Sequence, residues 1–251
     1  MSPALEFDAV SKRFGETVAV NDVSLLVPRG SLVGLLGRNG AGKTTSINLA
    51  TGLLRPTAGS VRVLGLDVEA NAIEVKRRIG VMPQDDSLLE YLTGSQFLRF
   101  VGGVHRLPKE TVEKRSREIF ETLDLDPPKG TLIRDFSYGM KKKLALGAAL
   151  IHGPELLFLD EPFEGIDPVT AVTIRAILSS LQSKGVTIVM SSHVLEIVER
   201  LCGTIAIIDK GRLLAFGSLD DLRARHGDFG NLEELFLSLM GGAKPGELSW
   251  L

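Results

Sequence analysis

Several residue types are scarce in this chain of 251 residues. It has one cysteine, Cys202, one tryptophan and two tyrosines. A single cysteine cannot form a disulfide within the chain or build a cysteine-rich metal site, which excludes a disulfide-stapled scaffold and fits a reducing compartment. We expect Cys202 to be a small buried apolar residue.

Long apolar runs and a dominant charge are also missing. The longest apolar stretch covers residues 144–151, far short of the roughly 20 residues that a membrane-spanning helix needs. Residues 1–10 lack a basic segment followed by an apolar one, so we expect no signal peptide. The 29 basic and 31 acidic residues leave a net charge of −2, which argues against nucleic-acid binding through bulk electrostatics.

The composition is otherwise that of a folded globular protein, with 44% hydrophobic and 24% charged residues. Alternating apolar residues at 5–9 and 18–27 predict two antiparallel strands. Further along, predicted strands alternate with predicted helices, which indicates a mainly parallel sheet. The alternating strands are expected at residues 31–36, 156–159, 186–190 and 204–208, and the helices at 43–51, 168–184 and 194–201. Short strands are also expected at 61–64 and 79–82, and another at 212–216 after a turn.

Helical periodicity replaces this alternation in the middle of the chain. We interpret residues 85–153 as a helical subdomain inserted into a domain that covers residues 1–217. Residues 218–251 are expected to form a short helical extension with a loose tail, and Ser218 with Asp221 resembles a capping box at its start.

The first strand-to-helix junction carries a phosphate-binding pattern. The sequence GRNGAGKT at residues 37–44 matches G-x-x-x-x-G-K-[ST] between a predicted strand and a predicted helix, the context that this motif requires. Backbone N–H groups and the helix N-terminus attract phosphate, Lys43 adds charge, and the Thr44 hydroxyl suits Mg²⁺. Lys43 is expected to lie outside the core. The site is expected to comprise Gly37, Arg38, Asn39, Gly40, Ala41, Gly42, Lys43, Thr44 and Thr45.

Acidic residues follow the strand predicted at 156–159. Asp160 and Glu161 lie at the carboxyl end of a parallel strand, where α/β proteins bind ligands. Asp160 is suited to hold Mg²⁺ directly or through water, and Glu161 to polarise a water that attacks the γ-phosphate. Alone, the pair would suit an acidic turn equally well, but the phosphate motif favours a site. His193 follows the next predicted strand, so we interpret it as part of the same site rather than as a helix cap.

These motifs occur in the order found in the ATP-binding subunits of ABC (ATP-binding cassette) transporters, which the chain resembles over about residues 5–216. Three further segments carry the resemblance. VMPQ at 81–84 is similar to the family's glutamine loop, FSYGMK at 136–141 to its LSGGQ signature, and EGID at 164–167 to the loop after the catalytic glutamate.

The resemblance implies a role for each matched position. Phe14 stands where an aromatic ring stacks on adenine, and a π face is all that stacking needs. Gln84 would act with Glu161 and His193 in catalysis and would join Thr44 and Asp160 at Mg²⁺. Ser137 and Gly139 would contact ATP held by a second ATPase subunit. Tyr138 and Met140 depart from the signature, in a form similar to exporters whose ATPase and membrane chains are separate.

The implied fold is a P-loop NTPase core of mainly parallel sheet with helices, an antiparallel β subdomain and an inserted helical subdomain. The implied function is ATP hydrolysis that powers an ABC transporter, with export favoured, through ATP-driven dimerisation. The cofactors would be ATP and Mg²⁺, and the partners a polytopic permease and a second ATPase subunit, identical or paralogous. We expect a peripheral subunit on the cytoplasmic face of the membrane and no nucleic-acid partner.

Two other interpretations stay open at this point. A regulatory module could bind ATP as a switch, although Glu161 and His193 argue against that. A soluble ABC protein of translation or DNA repair usually carries tandem cassettes or a long coiled coil, and neither is present.

The lysine run at 141–143 is interpreted as a solvated helix face. The helical insert, with Arg99 and Arg106, is a candidate docking surface for the permease.

Overall fold

A computed structural model describes residues 2–84, 88–127, 130–227 and 229–241. Its first sheet is antiparallel, with strand order β2-β1-β4-β5. The strands are β1 (Leu5–Phe14), β2 (Thr17–Val27), β4 (Ala58–Val63) and β5 (Leu66–Asp67). β1 pairs with β2 in the antiparallel arrangement that the alternating apolar residues predict, and its first part also pairs with β4.

The second sheet has strand order β10-β9-β3-β8-β7-β6, and its pairs are parallel except for the antiparallel pair of β9 and β10. The mainly parallel sheet predicted from the sequence is confirmed. Its strands are β3 (Leu32–Leu36), β6 (Ile79–Met82), β7 (Leu156–Leu159), β8 (Thr187–Ser192), β9 (Thr204–Asp209) and β10 (Arg212–Gly217).

Helices flank this sheet and fill the segment between β6 and β7. That segment contains α3 (Gly94–Val104), α4 (Lys109–Thr122), a 3₁₀ turn (Ile133–Asp135) and α5 (Tyr138–Leu150). The remaining helices are α1 (Lys43–Ala50), α2 (Ala72–Arg78), α6 (Pro168–Ser183), α7 (Leu195–Leu201), α8 (Leu219–His226) and α9 (Leu232–Leu239). Among the described residues, no helix is long and apolar enough to cross a bilayer.

The parallel sheet is buried on both faces, which explains its continuous apolar strands. In β7, Leu156 and Phe158 join the core between the two sheets, whereas Leu157 and Leu159 join the core beneath the helices. Successive side chains of a strand point to opposite faces, so a four-residue apolar run supplies both cores. Cys202 is buried in the helix-side core, as expected, and burial raises the pKa of its thiol.

Helices α6 and α8 begin with capping side chains, and the second, at Ser218, is the capping box predicted from the sequence. Asp167 accepts hydrogen bonds from Val169 and Thr170 at the start of α6, and Pro168 occupies the first helical position. Ser218 and Asp221 form a reciprocal capping box at α8.

The prediction that residues 141–143 form a solvated helix face is wrong. Lys142 is fully buried and Lys143 nearly so, because α5 packs against β6, α3, α4 and α6 and has little free surface. Each amine has an oxygen partner: Lys141 Nζ lies 3.0 Å from Glu90 Oε1, Lys142 Nζ donates to Gln84 O at 2.8 Å, and Lys143 Nζ donates to Asp124 O at 3.0 Å.

Two segments named from the sequence lie partly outside the described residues. Residues 85–87, at the start of the interpreted insert, and residues 242–251, most of the expected loose tail, are not described.

Candidate nucleotide site

The predicted phosphate, acidic and histidine motifs meet at the carboxyl edge of the parallel sheet. The glycine-rich loop follows β3, the Asp160–Glu161 pair follows β7, and His193 follows β8. Gln84 lies two residues beyond β6. Parallel strands all end at one edge, which is why four segments distant in sequence converge here.

The glycine-rich loop depends on close backbone contacts. Gly42, at the start of α1, has φ 108°, and a Cβ on it would lie 2.5 Å from the carbonyl oxygen of Ala19. A Cβ on Gly37 would lie 2.5 Å from Ile208 O. Both positions exclude a side chain, so the loop lies tight against β2 and β9 with its N–H groups at the start of α1.

Lys43 is buried, contrary to the expectation that it lies outside the core. Its side chain is 7% exposed, and Nζ donates to Gly37 O at 2.9 Å and lies 3.3 Å from Glu161 Oε1. A buried amine needs such partners, because desolvation of an unpaired charge is costly. The loop carbonyl and the carboxylate therefore hold Lys43 beneath the loop.

Glu161 is fixed by three neighbours. Its Oε1 faces Lys43, its Oε2 lies 3.0 Å from His193 Nδ1, and its N–H donates to Ser191 Oγ at 2.9 Å. The backbone of Glu161 adopts φ 50°, a left-handed conformation that non-glycine residues rarely take. Such strain persists where the surroundings over-determine a residue, as they do for Glu161.

Ser191 is a site residue that the sequence analysis missed. Its hydroxyl donates to Asp160 Oδ1 while accepting from the Glu161 N–H, so one side chain orients both acidic residues. Asp160 is also fixed through its own N–H, which donates to Met82 O at 2.8 Å. The available signal was the position of Ser191 near the end of β8, directly beside the strand that carries the acidic pair.

A cleft of about 340 Å³ opens over the glycine-rich loop. Its described lining comprises Ala19, residues 38–45, Gln84 and Glu161. N–H groups, Lys43, the exposed Thr44 and the Glu161 carboxylate line this cleft, and the buried Asp160 precedes Glu161 in the chain. These groups fit a magnesium–triphosphate group, since hard cations prefer oxygen ligands and phosphate prefers N–H donors. The donor set thus matches the nucleotide and the cation inferred from the sequence.

Three predicted site residues lie elsewhere in the described structure. Phe14 ends β1, is 48% exposed and has Lys12 Nζ 5.2 Å from its ring centroid. Ser137 caps α5, with its hydroxyl accepting from Met140 N at 3.2 Å. Gly139 packs on α6, where a Cβ would lie 3.1 Å from Thr170 Oγ1. None of the three belongs to the described lining of the cleft. Gly37, Asp160 and His193 are also outside that lining, but they are bonded to its residues Lys43 or Glu161 directly or through Ser191.

A second groove, of about 390 Å³, lies between the sheet domain and the helical segment. It is mostly apolar, and its polar feature is a stacked pair of imidazoles, His105 at the end of α3 and His152 just after α5. Their ring centroids are 3.8 Å apart, and His152 Nε2 lies 2.8 Å from Ile79 O. Burial, together with the charges of His105 and Arg115, lowers the pKa of His152 to about 4 despite that hydrogen bond.

Known proteins are similar to this chain in sequence and in fold. The family model described as ABC transporter matches residues 20–164. The daunorubicin resistance ATP-binding protein DrrA3 of Streptomyces coeruleorubidus is 39% identical over 224 residues, which cover 89% of this chain and 71% of the relative. The linearmycin resistance ATP-binding protein LnrL of Bacillus subtilis is 37% identical, with coverage of 89% and 72%.

Nod factor export ATP-binding protein I of Cupriavidus pinatubonensis is 39% identical, with coverage of 88% of this chain and 68% of the relative. Among solved structures, an ATP-binding subunit of an ABC transporter superposes with a TM-score of 0.88 at 32% identity, covering 94% of this chain and 99% of that one. The predicted family and fold class are therefore confirmed, and the chain belongs to the ABC transporter family as an ATP-binding subunit.

Proposed function

We propose that this subunit hydrolyses Mg-ATP to power an exporter, with Glu161 as the general base. The observation that carries the proposal is the placement of Glu161 at the cleft, between Lys43 and His193. Export is supported by the similar proteins, which include a Nod factor export protein and drug resistance proteins. A regulatory ATP switch would need neither a positioned base nor its histidine partner.

ATP binding is assigned to the glycine-rich loop, residues 37–45. The N–H groups of the loop and of the start of α1 bind the α- and β-phosphates. Lys43 Nζ contacts Gly37 O and Glu161 Oε1 in this structure. When ATP binds, the amine would bond to the β- and γ-phosphates instead, because together they carry more negative charge than the Glu161 carboxylate. Phe14 stacks on adenine, for which its half-exposed ring is suited.

The residues that would hold Mg²⁺ are Thr44, Asp160 and Gln84. Thr44 presents an exposed hydroxyl, and Asp160 a buried carboxylate fixed by Ser191. Gln84 lines the cleft, and its Nε2 donates to Glu164 Oε2 at 3.0 Å, which leaves the amide oxygen as a ligand. When bound, Mg²⁺ neutralises charge on the β- and γ-phosphates during transfer.

Glu161 gains a free oxygen when Lys43 turns to the phosphates. Its Oε1 can then accept a proton from the attacking water, while Oε2 stays beside His193 Nδ1. His193 thus keeps the carboxylate oriented. Hydrolysis proceeds by in-line attack of that water, with the nucleotide fixed by the loop.

A second subunit would complete each site, through Ser137 and Gly139 at the start of α5. The N-terminus of α5 has N–H groups suited to an anion, yet Ser137 is outside the described lining of its own chain's cleft. We assign these residues to ATP held by the other chain, so that ATP drives dimerisation.

The permease partner is assigned to the helical segment between β6 and β7. The apolar groove with His105 and the exposed Phe100 and Val104 of α3 offers a surface for an amphipathic segment of a membrane chain. Arg99 and Arg106 lie on either side of Phe100, Val104 and His105 in the sequence. This arrangement would hold the subunit on the cytoplasmic face of the membrane.

The experiment is the substitution Glu161→Gln. We expect it to retain Mg-ATP binding, to lower turnover by about 100-fold or more, and to hold two chains together around unhydrolysed ATP in size-exclusion chromatography. Glu196→Gln is the matched control, because it removes the same charge from an exposed position on α7. Parental hydrolysis in Glu161→Gln would return the role of base to His193 or another group.

A further inference from the structure

The completely buried Lys142 has no part in the nucleotide chemistry. Its exposure is 0%, and it is among the largest fully buried side chains of the described residues. Lysine is rarely buried without a partner, because its amine must replace lost water contacts. Two contacts replace water at Lys142 Nζ. It donates to the main-chain oxygen of Gln84 at 2.8 Å, and it lies 5.3 Å from the ring centroid of Tyr138.

Tyr138 connects this amine to the loop after the catalytic glutamate. Its ring lies against Gly165, where an added Cβ would be 2.9 Å from Tyr138 Cε1. Glu164, the next residue back, accepts a hydrogen bond from Gln84 Nε2. The contacts therefore close a circuit of five residues: Gln84, Lys142, Tyr138, Gly165 and Glu164.

We propose that Lys142 and Tyr138 are positioning residues that fix the cleft residue Gln84 to the N-terminus of α5. The proposal rests on the proposed function. It adds a chain of contacts through which binding of the γ-phosphate near Gln84 changes the position of the signature segment, residues 136–141. Tyr138 follows the capping residue Ser137 directly, so a movement of Gln84 that pulls on Lys142 also moves the start of α5. This explains why Tyr138 replaces the usual residue of the signature, because its ring covers the buried amine of Lys142.

A purely structural role for the two side chains predicts something different. If Lys142 and Tyr138 only fill space, their replacement lowers stability and leaves the response of α5 to nucleotide unchanged. Amide hydrogen exchange at residues 138–141 distinguishes the two roles, because Met140 N and Lys141 N are bonded to Ser137 and report on the helix start.

The test compares three variants of the full chain with the parent, at a concentration where light scattering shows monomers. Lys142→Met removes the amine at similar volume, Tyr138→Leu removes the ring face, and Tyr138→Phe retains it. We expect Mg-ATP to change exchange at residues 138–141 in the parent and in Tyr138→Phe, and not in Lys142→Met or Tyr138→Leu. The same change in all four proteins, or none in the parent, would overturn the proposal.

Turnover provides the second measurement. Lys142→Met and Tyr138→Leu should each lower kcat by about five- to tenfold with ATP affinity within about twofold. The double variant should be no worse than either single one, because both changes break the same circuit. If Lys142→Met does not fold, the Tyr138 pair decides alone: equal kcat and equal exchange in Tyr138→Leu and Tyr138→Phe contradict the proposal.

Failure of the two proposals is distinguishable. An inactive parent, or an active Glu161→Gln variant, would remove the proposed function without affecting the exchange result. An active parent whose kcat and exchange response survive both Lys142→Met and Tyr138→Leu would remove only the coupling.

Discussion

Lys43 shows how a single residue can serve both the fold and the chemistry. Its amine donates to Gly37 O and lies beside Glu161 Oε1, at the loop to which we assign phosphate binding. A lysine already desolvated and aimed at the loop loses little more solvation when phosphate arrives. Burial of Lys43 is thus part of the binding site rather than an obstacle to it.

Replacement of Lys43 should test this dual role. Lys43→Met keeps the length of the side chain, so the fold should persist by circular dichroism. Affinity for Mg-ATP should fall by about 10- to 100-fold, which matches the roughly 1.5–3 kcal/mol of a charge-assisted hydrogen bond. Lys109→Met, on an exposed turn of α4, is the control. If folded Lys43→Met binds Mg-ATP as tightly as the parent, the phosphate assignment is wrong.

At the scale of helices and strands, an element could be predicted where its residue pattern suits both its backbone conformation and its place in the core. β7 consists of four apolar residues buried on both faces, and the glycine-rich loop has its strand and helix on either side. α2 was missed because Val75 is its one buried residue among those described, which leaves no apolar stripe to recognise. The lysines of α5 were misinterpreted because their oxygen partners come from distant segments.

The stacked histidines between α3 and α5 predict a pH dependence of stability. Burial lowers the pKa of His105 and, with the charges of His105 and Arg115, lowers that of His152 from 6.5 to about 4. The unfolded chain therefore binds more protons than the folded chain between these pH values, so stability falls as pH decreases through this window. Lys76, which also lines the groove, adds a further positive charge.

His152→Gln isolates this effect, because glutamine retains a donor for Ile79 O and does not titrate. As pH falls from about 7.5 to about 5, the free energy of unfolding should shift in favour of the variant by on the order of 1 kcal/mol, after allowance for solvent screening of a partly exposed pair. Urea titrations of both proteins at each pH measure this. A difference that does not vary with pH would contradict the lowered pKa of His152.

At the scale of the whole molecule, the proposed site has two halves, and the sheet brings one of them to its carboxyl edge. Gln84, Glu161 and the glycine-rich loop line the cleft, whereas Ser137 caps α5 outside its described lining. The sequence could place the residues of each half, because each half follows a strand or starts a helix. Whether Ser137 and Gly139 contact the ATP of their own chain or that of a second chain depends on how the subunits assemble. The sequence indicates this only through its resemblance to the family.

The proposed shared site leads to a prediction about mixtures of two impaired proteins, assayed at an ATP concentration near the parental Kd. One is Lys43→Met, whose loop then binds little ATP. The other should disable the signature without harming the fold, and Gly139 is unsuitable because any side chain there meets Thr170 and Asp167. Ser137→Asp is better: aspartate is a good N-cap, so α5 stays intact, while its charge repels a phosphate of the partner's ATP. Ser137→Asn is its control, since it caps equally well and carries no charge.

Each variant alone contains no intact site, but a mixed dimer contains one, where the normal loop of one chain meets the normal signature of the other. Random pairing makes about a quarter of all sites intact in a two-fold dimer. Mixing should therefore restore up to about a quarter of parental turnover, and mixing Lys43→Met with Ser137→Asn should restore no less. If mixed dimers form with ATP trapped between the chains and rapid-quench measurements detect no turnover, each chain does not complete its partner's site.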